Sequence, residues 1–267
     1  MKPTVESSNL TRLSQGQLNI LETCPRKFQH IYFDQLGTPI SPEQQEHLAW
    51  GSQFHLLMQQ RELGLPVESI IEEDVQLQQW VTALVNEAPE VFTKDDKTFR
   101  EPEHCRTLKF QDYLLTVIYD LLIEGEKSAQ ILDWKTYAQP KNPHWLAQDW
   151  QTRLYLYILT ETSDYLPEEI SMTYWFVKSQ PRPQSLTFTY DRRQHEKTKQ
   201  DLSKLLNQLT GWLQRYQSDR LPFPQVPVSA NRCLNCSFAV RCQRIGETAT
   251  NSSQLVPNLA DIEEVSL

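Results

Sequence analysis

Apolar residues recur at helical spacing through the first ninety residues of the chain. A capping-box pattern at Ser14 and Gln17 begins a short helix, and the Cys24-Pro25 pair interrupts it. Pro25 suits the first turn of a second helix, because proline is tolerated where no intrahelical N–H bond is needed. The helices predicted in this part cover about residues 14–24, 26–35, 41–64 and 74–88.

The pattern then changes to short apolar segments separated by polar turns, which is typical of antiparallel strands. A helix, two more strands and a long final helix follow. The predicted strands are 98–109, 113–124, 129–136, 171–177 and 186–190, and the predicted helices are 143–159 and 191–217. This order predicts an α/β (α+β) fold with a central mixed sheet flanked by helices.

The sequence has no repeat and no long linker, so residues 1–246 are expected to form a single domain. Within it, about residues 14–90 form a helical N-terminal part and about residues 221–246 form a Pro- and Cys-containing C-terminal segment. Residues 247–267 carry four acids and no Lys or Arg. They are predicted to be an acidic, disordered tail.

The chain has 267 residues and a net charge of −8, which argues against a histone-like nucleic-acid binder. That charge is uneven, because residues 61–103 hold eleven acids against four bases and the tail adds four acids. The rest of the chain is slightly basic. No stretch of eighteen apolar residues and no signal-peptide pattern occurs, so we expect a cytoplasmic protein without a membrane partner.

A carboxylate interrupts the most apolar predicted strand, at Asp120, and Asp133 and Lys135 follow on the next strand. A hairpin between the two strands can bring the two carboxylates together, where a divalent cation would offset their repulsion. A nearby ammonium group can then orient a water molecule, and phosphodiester hydrolysis needs this combination. The alternative is that Asp120 caps a turn and that Asp133 and Lys135 form a surface ion pair.

Two further pairs of residues stand four positions apart on predicted helices, and each pair therefore shares a helix face. Gln151 and Tyr155 can reach a phosphate or Lys135, and His55 can bind a metal while Gly51 permits close backbone approach. The alternatives are a polar stripe with a half-buried tyrosine and an ordinary helical histidine.

Three cysteines lie close together near the end of the chain, at Cys233, Cys236 and Cys242. A closed metal site needs a fourth ligand, for which Cys24 at the helix break is the candidate; Cys105 is the spare. Cys24 lies 209 positions before Cys233. This spacing favours a four-iron cluster over zinc, and buried thiols without a metal are the remaining alternative.

Together these residues resemble the PD-(D/E)XK nuclease superfamily, in particular its iron–sulfur branch with RecB/AddB-type nuclease domains and CRISPR-associated exonucleases. The resemblance covers nearly the whole chain and is most specific in the cysteine spacing. It departs from the family at Val117, where a glycine is frequent, and at Tyr119, which replaces the proline of the superfamily's name. The matching segments are 14–32, 51–55, 101–103, Asp120, 133–136, 151–155 and 233–242.

The resemblance implies a restriction-endonuclease-like fold whose N- and C-terminal segments are joined at a structural 4Fe-4S cluster. It also implies a divalent-metal-dependent DNA nuclease, and we expect an exonuclease of repair, recombination or CRISPR spacer processing. Lys135 would position the attacking water, and Gln151 and Tyr155 would organise Lys135 and the phosphate. The implied Mg²⁺ or Mn²⁺ ligands are His55, Asp120, Asp133 and the Trp134 carbonyl, and the implied cluster ligands are Cys24, Cys233, Cys236 and Cys242.

Basic residues flank the cysteines and are expected to contact DNA phosphates. The expected substrate is single-stranded DNA or DNA with frayed ends, and a helicase or a CRISPR integrase is the expected partner. The alternative function is a catalytically silent DNA-binding or scaffold subunit with an Fe-S or Zn staple. The candidate DNA-binding residues are Arg26, Lys27, Arg232, Arg241 and Arg244.

Overall fold

The computed structural model describes residues 10–37, 40–67, 74–93, 95, 97–138 and 144–244, and its elements follow the predicted order with a few additions. The strands are β1 Thr11–Leu13, β2 Phe99–Phe110, β3 Tyr113–Glu124, β4 Ala129–Lys135, β5 Ile170–Phe176 and β6 Gln184–Thr189. The helices are α1 Gln15–Thr23, α2 Pro25–Tyr32, α3 Pro42–Glu62, α4 Val75–Glu87, α5 Pro89–Phe92, α6 His144–Gln148, α7 Trp150–Glu161 and α8 Arg192–Asp219.

The differences from prediction occur where a local hydrogen bond or a distant strand decides the structure. The predicted helix over 143–159 is two helices, because the Asp149 carboxylate accepts a 2.7 Å bond from the Gln151 N–H and begins α7 there. Strand β1 was not predicted, since three residues show no periodicity. The tail at 247–267 lies outside the described residues.

Strand β3 organises a mixed sheet, as predicted, which has six strands because β1 joins the five predicted ones. Antiparallel β2 pairs with β3 along its whole length. On the other side, β1 runs parallel to the start of β3 and β4 runs antiparallel to its end. Strand β5 is parallel to β4, and β6 is antiparallel to β5. The segment of β3 between β1 and β4 therefore has a partner on one side only within the described residues.

The chain forms two compact units, one of residues 1–15 and 51–195 and the other of residues 16–50 and 196–267. The first unit holds the sheet. Helix α7 packs on β2, β3 and β5, and its Trp150, Leu154 and Ile158 are fully buried. The extent of the predicted domain stays a prediction.

One face of β3 is more buried than the other. Leu115, Val117, Tyr119 and Leu121 are fully buried, whereas the alternate positions from Leu114 to Asp120 are partly exposed. The two departures from the family pattern, at 117 and 119, are thus core residues. Apolar residues at both alternating sets of positions in this strand predict that both of its faces are covered, which is wrong for the face that carries Asp120. The partly exposed face leaves Asp120 accessible in the middle of a strand.

In the second unit, the Pro-containing segment that follows α8 is extended and bound to α2. The Phe223 N–H donates a 2.7 Å bond to the Gln29 side chain, and the Phe223 carbonyl accepts a 2.6 Å bond from the Arg26 Nε. Phe223 itself is buried against Phe33, Trp212 and Tyr216. The cysteine-containing segment follows as a series of turns up to Arg244.

None of the helices in the described ranges combines the length and the apolar character that crossing a membrane requires.

Candidate active site

Three carboxylates stand in a row across neighbouring strands of the first unit. In the β2–β3 pairing, Pro102 faces Leu121 and His104 faces Tyr119, so Glu103 stands opposite Asp120. On the other side, the β3–β4 pairing ends at Leu121 and Leu132, so Asp120 and Asp133 are the next residues on each strand. Like charges directly opposite one another destabilise a sheet. Such a row therefore indicates a site for cations.

His55, Glu103 and Asp120 can hold one metal ion. Their ligand atoms lie within 4.8 Å of one another, and the His55 Nδ1 is 3.3 Å from an Asp120 oxygen. Burial and the Asp120 charge raise the pKa of Glu103, while His55 lowers it. One imidazole and two carboxylates form a donor set that suits Mn²⁺ and Mg²⁺.

The backbone has unusual features at Glu103 and Gly51, close to the three candidate metal ligands. Glu103 has a positive φ of 51°, which is uncommon for a residue other than glycine and marks a local distortion of β2. One turn before His55 in α3, a Cβ atom on Gly51 would lie 3.3 Å from the Thr136 hydroxyl. The close approach predicted at Gly51 is therefore confirmed, and its neighbour is the end of β4.

Lys135 is held between an acid and an amide. Its Nζ lies 2.9 Å from Asp133 Oδ1 and donates a 3.0 Å bond to Gln151 Oε1. The Gln151 amide N–H in turn donates a 2.6 Å bond to Asp133 Oδ2. The Asp133 and Lys135 side chains are only 2% and 4% exposed, so they are not a surface ion pair. The Lys135 ammonium has a fixed position and orientation.

Asp120 also bonds to the backbone of β4, where the Trp134 N–H donates a 2.6 Å bond to Asp120 Oδ2. The N–H and C=O of a strand residue point toward the same side of the strand. The Trp134 carbonyl, a predicted metal ligand, therefore faces the side of β4 on which Asp120 lies.

Tyr155 lies deeper than the other predicted catalytic residues. It is 2% exposed, and its hydroxyl accepts a 3.3 Å bond from the Gln15 amide. Burial and the charges of Asp133 and Asp120 raise its pKa well above the usual value, so the phenol stays protonated. Its edge-on packing against Tyr119 fixes the ring. Contact between Tyr155 and a phosphate stays a prediction.

Glu103 is the site residue that sequence reasoning did not assign, since only the 101–103 region was noted. The signal that could have identified it is register: with a tight turn at 111–112, residues 103 and 120 face each other in a hairpin. The predicted ligand Asp133 is instead turned toward Lys135 and Gln151. Its role as a metal ligand stays a prediction.

We expect Glu103→Gln to weaken Mn²⁺ binding at least about tenfold, because the substitution removes a charged ligand and keeps the shape of the side chain. Titration calorimetry with Mn²⁺ measures this directly. Glu101→Gln is the matched control, since Glu101 lies on the same strand, is exposed and pairs with His104. Equal affinity of the Glu103→Gln variant and the unmodified protein would remove Glu103 from the site.

The four predicted cluster cysteines all belong to the second unit, where Cys242 interacts electrostatically with the other three. Cys24 precedes α2 in extended backbone, and Pro25 begins that helix as predicted. Burial raises the pKa of the Cys242 thiol, Arg26 lowers it, and the charges of Cys236, Cys24 and Cys233 raise it further. Cys105 is exposed on β2 in the first unit, which agrees with its assignment as the spare.

A histidine to which the sequence assigned no role contacts this group. His30 Nε2 lies 3.7 Å from the Cys242 sulfur, and His30 Nδ1 lies 2.7 Å from the Asp34 carboxylate. Asp34 also accepts a 3.1 Å bond from the Tyr216 hydroxyl. This chain of contacts connects Cys242 to α2 and α8.

Of the five basic residues predicted to contact DNA, Lys27 is half-buried on α2, and the other four divide into two groups. Arg26 donates to the Phe223 carbonyl, and Arg244 donates to the Gln225 side chain, so both stabilise the extended segment. Arg232 and Arg241 are exposed. Their role in DNA binding stays a prediction.

Residues 12–243 match the family model described as the PD-(D/E)XK nuclease superfamily. The solved structure titled SSO0001 shares 11% identity and a TM-score of 0.37, with 78% of each chain covered. A Eubacterium rectale protein named "Putative exonuclease" shares 13% identity and a TM-score of 0.46, with 92% of this chain and 95% of that chain covered.

None of the curated proteins compared with the chain matches it. The family match covers most of the sequence, including the strands that carry Asp120, Asp133 and Lys135, and the mixed sheet flanked by helices is the restriction-endonuclease-like fold of that family. The chain belongs to the PD-(D/E)XK nuclease superfamily.

Proposed function

We propose that the protein is a divalent-metal-dependent DNA nuclease that acts as an exonuclease. The observation that carries this proposal is the buried Lys135, held by Asp133 and Gln151 beside the row of carboxylates. An ion pair that only stabilises the fold would need neither the third partner Gln151 nor the metal-binding residues beside it, so this arrangement favours a catalytic role. Membership of a nuclease superfamily supports the same chemistry.

The residues present fit a divalent cation. His55, Glu103 and Asp120 would hold Mg²⁺ or Mn²⁺, with Asp133 and the Trp134 carbonyl as further ligands. When bound, the ion supplies positive charge that stabilises the negative charge developing on the phosphoryl oxygens. Burial and the neighbouring Asp120 charge raise the pKa of Glu103, and a bound cation would offset that charge.

The protein's own residues would orient the reactants. Lys135 keeps its proton on Nζ and donates a hydrogen bond to the attacking water or to a phosphoryl oxygen, while Asp133 and Gln151 hold the ammonium in place. Water attacks phosphorus and releases a proton to the solvent, the bond from phosphorus to the leaving oxygen breaks, and that oxygen takes up a proton from the solvent. The protonated Tyr155, whose hydroxyl accepts a bond from Gln15, interacts with Gln151 and would help to position it.

We also propose that Cys24, Cys233, Cys236 and Cys242 hold a structural 4Fe-4S cluster. The interaction of Cys242 with the three other thiols in the second unit supports it, as does the binding of the extended segment after α8 to α2. Thiolates are the ligands of such clusters. The cluster would connect the start of α2 to the end of the described chain.

The proposed substrate is single-stranded DNA or DNA with frayed ends. The proposed setting is repair and recombination with a helicase, or CRISPR spacer processing with an integrase. Arg232 and Arg241 are exposed and available for phosphate contacts.

The test is cleavage of end-labelled single- and double-stranded DNA by the anaerobically purified full chain. We expect shortening from an end with Mn²⁺ or Mg²⁺ and no cleavage in EDTA. Asp120→Asn, purified in parallel, is expected to be inactive and so excludes a contaminating nuclease. DNA binding without cleavage under any divalent metal would instead favour the scaffold function.

A further inference from the structure

A cavity of about 180 Å³ opens beside the proposed metal ligands in the first unit. Asp120 and Trp134 belong to its wall and also form the 2.6 Å bond within the site. Anything bound in the cavity therefore lies next to a phosphate bound at the proposed metal site. The cavity is smaller than the roughly 300–1,000 Å³ pockets that take drug-sized ligands, so it suits a single ring system.

The side chains that line this cavity are of the kinds that bind an aromatic ring. Phe92 and Trp134 stack with their planes 18° apart, and the Arg61 guanidinium lies 5.6 Å from the centre of the Phe92 ring. Met58, Pro102 and Leu121 add apolar surface. Aromatic faces and guanidinium planes are the groups on which proteins stack nucleic-acid bases.

The wall is also rigid. Glu62 accepts two bonds from Arg100, at 2.8 and 3.0 Å, and Arg100 donates a further 2.8 Å bond to the Val91 carbonyl. These bonds join α3, α5 and β2 around the cavity. Because Glu62 is already occupied by Arg100, its charge does not cancel that of Arg61. No carboxylate pairs with Arg61 within the described part of the chain.

The geometry points to a nucleobase pocket: the base of the nucleotide adjoining the scissile phosphate stacks on Phe92, and Arg61 contacts that base or its phosphate. This inference rests on the proposed nuclease function and adds a substrate contact to it. Stacking accepts every base, so we expect the pocket to favour single-stranded or frayed DNA without sequence preference.

Phe92→Leu and Arg61→Gln test the pocket through the substrate. With intact single-stranded DNA and Mn²⁺, each variant is expected to lose about tenfold or more in kcat/KM. DNA with an abasic residue beside the scissile phosphate should be cut equally well by Phe92→Leu and by the unmodified protein, because the base that Phe92 contacts is missing. A purely structural role for Phe92 would reduce cleavage of both substrates alike and would overturn the proposal.

Matched controls and a second readout complete the experiment. Phe99→Leu and Arg182→Gln change exposed residues outside the cavity and should leave kcat/KM unchanged. Thermal unfolding tests whether each variant is folded. If Phe92→Leu does not fold, the cleavage rate and the fluorescence quenching of Arg61→Gln decide the test. In a binding assay with EDTA, the DNA carries 2-aminopurine at its terminal position. The unmodified protein should quench the 2-aminopurine fluorescence, and Phe92→Leu should quench it less.

The fluorescence readout separates the two proposals. If the unmodified protein cuts no DNA, the nuclease proposal fails while Phe92-dependent quenching still supports the pocket. Quenching that is identical in the unmodified protein and in both variants overturns the pocket whether or not cleavage occurs.

Discussion

Replacing Lys135 with methionine is expected to slow metal-dependent DNA cleavage by about 10²–10³-fold, the loss typical of removing one hydrogen-bond donor that stabilises the transition state. The ammonium is buried and held at 2.9 Å by Asp133 and at 3.0 Å by Gln151, so no other side chain can take its position. Single-turnover rates with saturating Mn²⁺ measure the loss, and DNA affinity should change little.

Methionine also removes the cation beside the buried Asp133, and breaking such a pair costs about 3–5 kcal/mol of stability. Lys135→Arg keeps the charge and is therefore the variant to use if the methionine variant unfolds. It too should be at least about 10²-fold slower, because a planar guanidinium cannot occupy the same position. Lys109→Met, on the exposed edge of β2, is the matched control. A folded Lys135→Met variant that cuts at the unmodified rate would refute the assignment of Lys135.

The second large effect is expected from Cys24→Ser, which should abolish bound iron and sulfide and destabilise the second unit. A cross-link between Cys24 and Cys233 closes a loop of 209 positions, for which chain-entropy arguments give about 5 kcal/mol. For a chain of this size, that corresponds to a fall in Tm of about 10–20 °C. Iron and sulfide analysis, the visible absorbance and thermal unfolding measure these changes on anaerobically purified protein.

Cys105→Ser is the control for the same chemical change, because Cys105 is exposed and lies in the first unit. It should keep the iron content and the Tm of the unmodified protein. A colourless protein that contains one zinc ion per chain would show that the cysteines bind zinc and not an iron–sulfur cluster. Iron content unaffected by Cys24→Ser would remove Cys24 from the ligand set.

Sequence periodicity predicted the long elements well, because each of them buries a regular stripe or face. The hairpin of β3 and β4, the mixed sheet and the α2 start at Pro25 all follow from local pattern. Short elements do not follow from local pattern. Strand β1 is specified by its pairing with β3, about a hundred residues away in sequence, and not by its own three residues.

The site shows the same division. By itself, the sequence determined which chemical groups are present: Asp120 in an apolar strand, Asp133 and Lys135 on the next, and a cysteine group with one distant partner. Local spacing is enough for these, since strand and helix periods are short-range properties.

Only the tertiary structure decided which groups meet. It brought Glu103 opposite Asp120, turned Asp133 toward Lys135 and Gln151, and formed the cavity lined by Phe92 and Arg61. These contacts join residues far apart in the chain, and they depend on strand register and on side-chain packing. Neither of these leaves a periodic signal in the sequence.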